Sequence, residues 1–270
     1  MWHLPKPDLQ DALNDLDVFV SLGIITPTEK PALEQLVRDY DEQKANLTPQ
    51  QLSTIQPSTA ENIYSNYELT YKKRTLFSIR FGLSNHVYHC PYCGISEPGS
   101  LDHFMNKSTY KALALCRVNV VPMCTTCNGS KSKGPYTDFF NPYYFVNPDE
   151  EFFICNISFR ENDIVYNFSI KAGVFDDQQT LALNNQISKI EMDGRWEKAV
   201  ISYLSEDIFD QKDTPQMLIE SLPSLIEKKT NPKMMNHWKT AVLRGLKQVI
   251  NEDPAIAQKI LDAVNNKEYY

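Results

Sequence analysis

The sequence predicts an α+β chain in which helical flanks surround a short metal-stapled centre and one β-hairpin. Three observations predict it. Apolar residues recur at helical spacing through the first 85 residues and again from Gln178 to the end. Two C-x-x-C pairs, Cys90–Cys93 and Cys124–Cys127, lie in the middle. Two apolar runs, Glu151 to Phe159 and Ile164 to Ile170, flank the polar turn Arg160-Glu161-Asn162-Asp163. The 270 residues thus divide into a helical region 1–85, a central module 86–147, and a hairpin plus helical region 148–270.

The elements follow in order. Leu9, Leu13, Leu16 and Phe19 or Val20 mark a first helix with Asp8 as its cap and Gly23 as its stop. Thr26-Pro27-Thr28-Glu29 starts a second helix running to about Ala45, and Thr48-Pro49 a short third, since Pro suits a first helical turn. Ser58 to about Leu83 reads as one long helix with Ile63, Tyr67 and Tyr71 on one side and Lys72, Lys73, Arg74 and Arg80 near its far end. After the centre comes the aromatic segment Phe139-Phe140-Asn141-Pro142-Tyr143-Tyr144. Past the hairpin, Leu181, Leu183, Ile187 and Ile190 lead a helical pattern, broken at Thr214-Pro215 and Asn231-Pro232 and closed by Ala255 to Val264.

Composition narrows the class. The apolar fraction of 42% and charged fraction of 23% are those of a globular protein, and no stretch approaches the ~20 apolar residues of a membrane span. Met1 to Pro7 lacks the apolar core of a signal peptide, which makes the cytoplasm the expected compartment. The net charge of -7 argues against nucleic-acid binding until its distribution is read. Residues 72–134 carry nine basic and two acidic side chains, a local +7, between flanks of -7 each. A basic centre in an acidic scaffold suits a phosphate-handling site.

Each C-x-x-C pair can place two thiolates on one metal, and two pairs complete a tetrahedral shell of four sulfurs, the arrangement of structural zinc. Gly94 accepts the backbone angles such a turn needs. A closed four-sulfur shell leaves no position for substrate, so this metal fastens the fold. A redox use of the same spacing lacks the strand–helix setting such motifs need. Cys116 and Cys155 sit beside apolar residues and read as core fillers. His86 and His89 precede the first pair and read as structural, and His3 and His237 belong to no motif.

Between and just after the pairs lie Asp102-His103-Phe104, Asn119-Val120-Val121-Pro122 and Asn128-Gly129-Ser130-Lys131-Ser132-Lys133. This order resembles the HNH endonucleases of the zinc-knuckle type, over about 45 residues. The family's ββα-metal motif carries Asp-His on the first strand, an Asn before the second and a His or Asn in the helix. Here the last position is Asn128, an oxygen ligand. Phosphodiester hydrolysis needs a base to activate water and a cation to hold the phosphate and leaving oxygen. His103 is the candidate base, while Asp102 and Asn128 offer hard oxygens suited to Mg²⁺. The resemblance implies that Asn119 orients His103 by a hydrogen bond, and that a single-metal mechanism leaves a 5′-phosphate and a 3′-hydroxyl. Lys131 and Lys133 are candidate phosphate contacts.

Lys107-Ser108-x-Tyr110 and Asn141-Pro142-Tyr143-Tyr144 extend the resemblance to the stand-alone HNH effectors of bacterial anti-phage defence, of the PtuB type found in Septu systems and certain retrons. Members of that type keep Pro where this chain has Asn106. The resemblance implies a nucleic-acid substrate, DNA or RNA, a PtuA-like ATPase partner subunit and, in retrons, a reverse transcriptase complex. The competing reading is a zinc-stapled nucleic-acid-binding or scaffold subunit whose His103 site is inert.

Overall fold

The computed structural model describes residues 2–72, 79, 82–83, 87–131, 135–160, 163–208, 214–229 and 234–265. The chain is mixed α+β, mainly helical, with two separate antiparallel strand pairs. No helix among the described residues is long and apolar enough to cross a membrane. The chain forms two compact units, Trp2–Val146 and Asn147–Tyr270.

In the first unit, helix Leu9–Ser21 begins where Asp8 accepts a hydrogen bond from the Gln10 amide at 2.7 Å. It stops before Gly23, whose φ of +67° suits glycine. Its apolar stripe of Leu13, Leu16 and Phe19 is buried. Helix Lys30–Glu42 follows, then Pro49–Leu52, which Thr48 and Gln51 close with a capping box. The long helix expected from Ser58 to Leu83 is interrupted. Pro57–Ser65 ends at Asn66, residues 66–68 turn, and Leu69–Lys72 resumes. The Asn66 side chain donates to the Asn62 carbonyl at 2.8 Å, a local bond that competes with helix propagation. Lys73, Arg74 and Arg80 lie outside the described residues.

Strands β1 (Ser100–His103) and β2 (Val120–Met123) pair antiparallel, with Asp102 opposite Val121 and His103 opposite Val120. The loop between them is packed, not slack: Met105, Leu113, Ala114 and Val118 are all fully buried. Helix Thr125–Lys131 follows β2 directly. The first helix and the segment before it both bond to this layer. Arg117 makes a two-pronged ion pair with Asp15, 2.6 Å on each prong, and the Trp2 amide donates to the Pro91 carbonyl at 2.8 Å. Tyr143, from the aromatic segment, donates to the Val120 carbonyl at 2.8 Å.

The second unit is built on a hairpin of β3 (Phe153–Arg160) and β4 (Asp163–Ile170) in continuous register. One face buries Phe153 and Phe168 against Trp196 of helix Met192–Ser202, with ring centroids 4.7–5.5 Å apart. Helix Trp238–Glu252 crosses β3 at Gly245, where an added Cβ would collide with the Cys155 carbonyl oxygen. Helices Asp177–Lys189, Pro215–Lys228 and Ile256–Asn265 complete the unit. Leu183, Ile187 and Ile190 are buried as their spacing predicts, but Leu181 faces solvent at 60% exposure. It stands two residues before Leu183, roughly 200° around a helix, and so on the opposite face. The break expected at Asn231-Pro232 lies outside the described residues.

Candidate metal centre and adjoining cleft

The four knuckle cysteines meet in a buried group, every ligand sulfur within 4.8 Å of the others. Cys93 Sγ and Cys124 Sγ are 3.9 Å apart. Four thiolates at ~2.3 Å from a tetrahedral zinc would stand roughly 3.8 Å from one another, so the group can hold a metal ion such as zinc. The first pair is shaped by a tight turn: the Gly94 amide donates to the Cys90 carbonyl at 2.8 Å, with Gly94 at φ +66°. The second pair opens helix Thr125–Lys131. Cys124 Sγ accepts the Cys127 amide at 3.4 Å, the position an oxygen takes in an ordinary N-cap. Hydrogen bonds among the four sulfurs hold Cys90 and Cys127 above the usual thiol value and Cys93 and Cys124 below it. Four crowded thiolates repel, and a dication relieves that repulsion.

The remaining cysteines are apart from this group. Burial pushes the Cys116 and Cys155 thiols up to about 12, as inert core residues require. His89 is exposed, and His86 lies outside the described residues. His3 Nδ1 is 3.0 Å from the Phe145 carbonyl, and His237 caps helix Trp238–Glu252.

Asp102 and His103 end β1 at the floor of a cleft of about 280 Å³, each less than a tenth exposed. Asn128, Lys131, Tyr67, Glu68, Lys107 and Tyr136 also line it. His103 Nε2 is 2.9 Å from the Ala114 carbonyl. A carbonyl only accepts, so Nε2 carries the proton and Nδ1 of the neutral ring is the nitrogen able to receive one. The Tyr67 ring meets the imidazole edge-on at 4.7 Å, and Lys107 Nζ stands 3.8 Å from the centre of that same ring.

Asn119 does not make the side-chain bond to His103 that the family resemblance implies. Its Oδ1 accepts from Tyr40 at 2.9 Å and from the Met105 amide at 2.8 Å. Its Nδ2 donates to the Met105 and Leu113 carbonyls at 3.1 and 3.2 Å. These four bonds satisfy the whole amide. Leu113 precedes Ala114, so Asn119 fixes the loop whose next carbonyl receives His103 Nε2. It acts on the histidine one step removed.

Lys131 also departs from expectation. Rather than facing a phosphate, its ammonium is turned inward and 5% exposed, donating to the His103 and Phe104 carbonyls at 3.1 and 3.0 Å. It stands 2.8 Å from Asp102 Oδ2 in a buried ion pair. Burial pushes the Asp102 carboxyl up, with the Lys131 charge opposing. Lys133 lies outside the described residues. The Asn128 amide donates to Ser100 Oγ at 3.1 Å, which tethers this half-buried side chain to β1.

Sequence reasoning assigned no role to Tyr67, Glu68 or Tyr136, and noted Lys107 only as part of a motif. Tyr67 carried the apolar stripe of a helix, and nothing in its spacing announced a cleft. Compared with protein-family models, curated proteins and solved structures, the chain has no match.

Proposed function

We propose that the chain is a metal-dependent nuclease of the HNH type. The observation that carries this reading is the setting of His103: proton fixed on Nε2 by the Ala114 carbonyl, at the floor of a cleft shared with Asp102 and Asn128. In this reading Nδ1 serves as the base. It would take the proton of an attacking water as the water's oxygen adds to phosphorus and the bond from phosphorus to the 3′-oxygen breaks. That oxygen leaves as a hydroxyl with a proton from solvent, while the Ala114 carbonyl steadies the imidazolium. Asn119 keeps that carbonyl in position through Leu113. Lys107, which lines the cleft beside Tyr67, would supply a cation toward substrate phosphate.

Asp102 and Asn128 would hold the divalent cation. The fit rests on the chemistry of the donor set: Asp102 Oδ2 is a buried hard oxygen that already holds a cation, the Lys131 ammonium 2.8 Å away. When bound, Mg²⁺ supplies neutralisation of the charge that builds on the phosphate and the leaving oxygen. The sulfur cluster takes no part in that chemistry and serves as the staple that brings β1 and helix Thr125–Lys131 together.

The sequence resemblance extends the proposal to an effector of anti-phage defence acting beside an ATPase subunit. The acidic flanks support delivery by a partner, because a chain of charge -7 approaches free nucleic acid poorly. A second reading, an inert binding or scaffold subunit, is favoured by the Lys131 ammonium against Asp102. Incubating the protein with plasmid DNA and with cellular RNA in Mg²⁺, beside His103→Ala, separates the two. The nuclease reading expects cleavage by the parent chain alone. Nucleic-acid binding by both with cleavage by neither supports the scaffold.

A further inference from the structure

Lys131 closes a ring of oxygens contributed by three consecutive residues. The Asp102 carboxylate, the His103 carbonyl and the Phe104 carbonyl lie 2.8, 3.1 and 3.0 Å from its Nζ. The rings of Phe104 and Phe139 stand 5.4 and 5.8 Å from the same nitrogen and wall it from water. An ammonium is a compact, hard cation. Three hard oxygens around it make a cation site whose occupant is supplied by the chain itself.

A Mg²⁺ on Asp102 must approach a carboxylate oxygen to ~2.0–2.1 Å. That places it within a few ångströms of Nζ, in a recess where water screens little, and the two cations repel strongly. Lys131 cannot retreat cheaply. It is buried, and its two carbonyl bonds tie it to the strand that carries the site. Divalent cation and ammonium therefore contend for one carboxylate.

We propose that Lys131 is a resident cation that competes with the divalent metal for Asp102 and so sets the metal affinity of the cleft. The proposal rests on the nuclease reading, in which Asp102 ligates metal. Its consequence is a cleft that stays largely unloaded at low divalent-ion concentration and fills when phosphate oxygens add to the ligand set.

The test is a Mn²⁺ titration of zinc-loaded protein, followed through the paramagnetic resonance of the free ion, without nucleic acid. Lys131→Gln removes the charge while its amide can still donate to both carbonyls. Lys131→Met removes charge and donors together, and Lys131→Arg keeps the charge. Zinc content of each variant reports that the unit has folded. Both neutral variants are expected to bind Mn²⁺ about tenfold more tightly or better, with Lys131→Arg near the parent chain, and Asp102→Asn added to Lys131→Gln is expected to abolish the gain. Equal affinity in the parent chain and Lys131→Gln would overturn the proposal. If the parent chain nonetheless cleaves nucleic acid in a His103-dependent way, the nuclease reading stands without it. If no variant binds Mn²⁺ and none cleaves, both fall together.

Discussion

The two compact units solve the same problem by different means. Asn147–Tyr270 has an eight-residue strand pair and a core of Phe153, Phe168 and Trp196, with Leu243, Leu246 and Val242 of one helix fully buried beneath it. Trp2–Val146 has strands of four residues, and much of its centre is loop. That centre is well buried, with Met105, Leu113 and Val118 at its core, but four-residue strands supply few ladder hydrogen bonds, so a metal staple would add what the pairing lacks. The four sulfurs stand where a staple would act, joining the segment before β1 to the helix after β2. Short strands and tight loops put Asp102, His103 and Asn128 around one cleft, and the four cysteines are not among the residues that line it.

The comparison can be broken at either unit. Removing Cys90 by Cys90→Ala, or stripping metal with a chelator, should cost the first unit its tertiary structure. Structural zinc binding amounts to ~10–16 kcal/mol, as much as a whole domain's stability. Amide exchange should then show protection lost around β1 and β2 and kept in β3 and β4. Loss in both together would show that the cluster is not a local staple. In the second unit, Gly245→Ala should destabilise by about 1–3 kcal/mol through overpacking, outweighing the ~1 kcal/mol that Ala brings to a helix. The drop should appear in the thermal unfolding of β3 and leave zinc content unchanged.

A finer probe is Tyr40→Phe, which removes one of the four bonds to Asn119. It should cost about 1 kcal/mol and act on the first unit alone. Should the loop behind His103 loosen, cleavage would fall further than stability does. The smallest effect belongs to Glu29, which accepts from Thr26 at 2.6–2.7 Å and from Thr59. The Thr59 hydroxyl, then the Thr26 hydroxyl and amide, hold its carboxyl below the usual value. A depressed carboxylate stabilises above its unfolded pKa and loses that contribution as pH falls through the folded value. Glu29→Gln should therefore cost less than about 1 kcal/mol at neutral pH, discounted for its exposure, and the gap to the parent should close on acidification below the ordinary glutamate range. Equilibrium urea unfolding at a series of pH values measures it.

Local signals were the legible ones. Asp8, Gly23, Thr48-Pro49 and Gly94 act on neighbours within a few residues, and each does what its chemistry dictates. The cysteine pairs were legible because a four-sulfur shell needs only two turns and a matching distance. Lys131 and Asn119 differ from expectation through partners that no short-range pattern announces, Tyr67 through a cap on its own helix. Lys131 reads as a candidate phosphate contact until Asp102, His103 and Phe104 turn three oxygens toward it. Asn119 was read through the family pattern, whereas its amide is consumed by Tyr40, Met105 and Leu113. Tyr67 was placed on a helix face, and the Asn66 cap put it on a turn against His103 instead.

The proposed nuclease uses His103 as its base and a separate sulfur-bound metal as its staple. Single-turnover cleavage of an end-labelled oligonucleotide, comparing parent and His103→Ala protein at equal zinc content, tests it most directly. Mg²⁺-dependent products ending in 5′-phosphate are expected, with a rate lower by about 10²–10⁴ in the variant. Equal rates in the two proteins, or cleavage that persists without Mg²⁺, would contradict it.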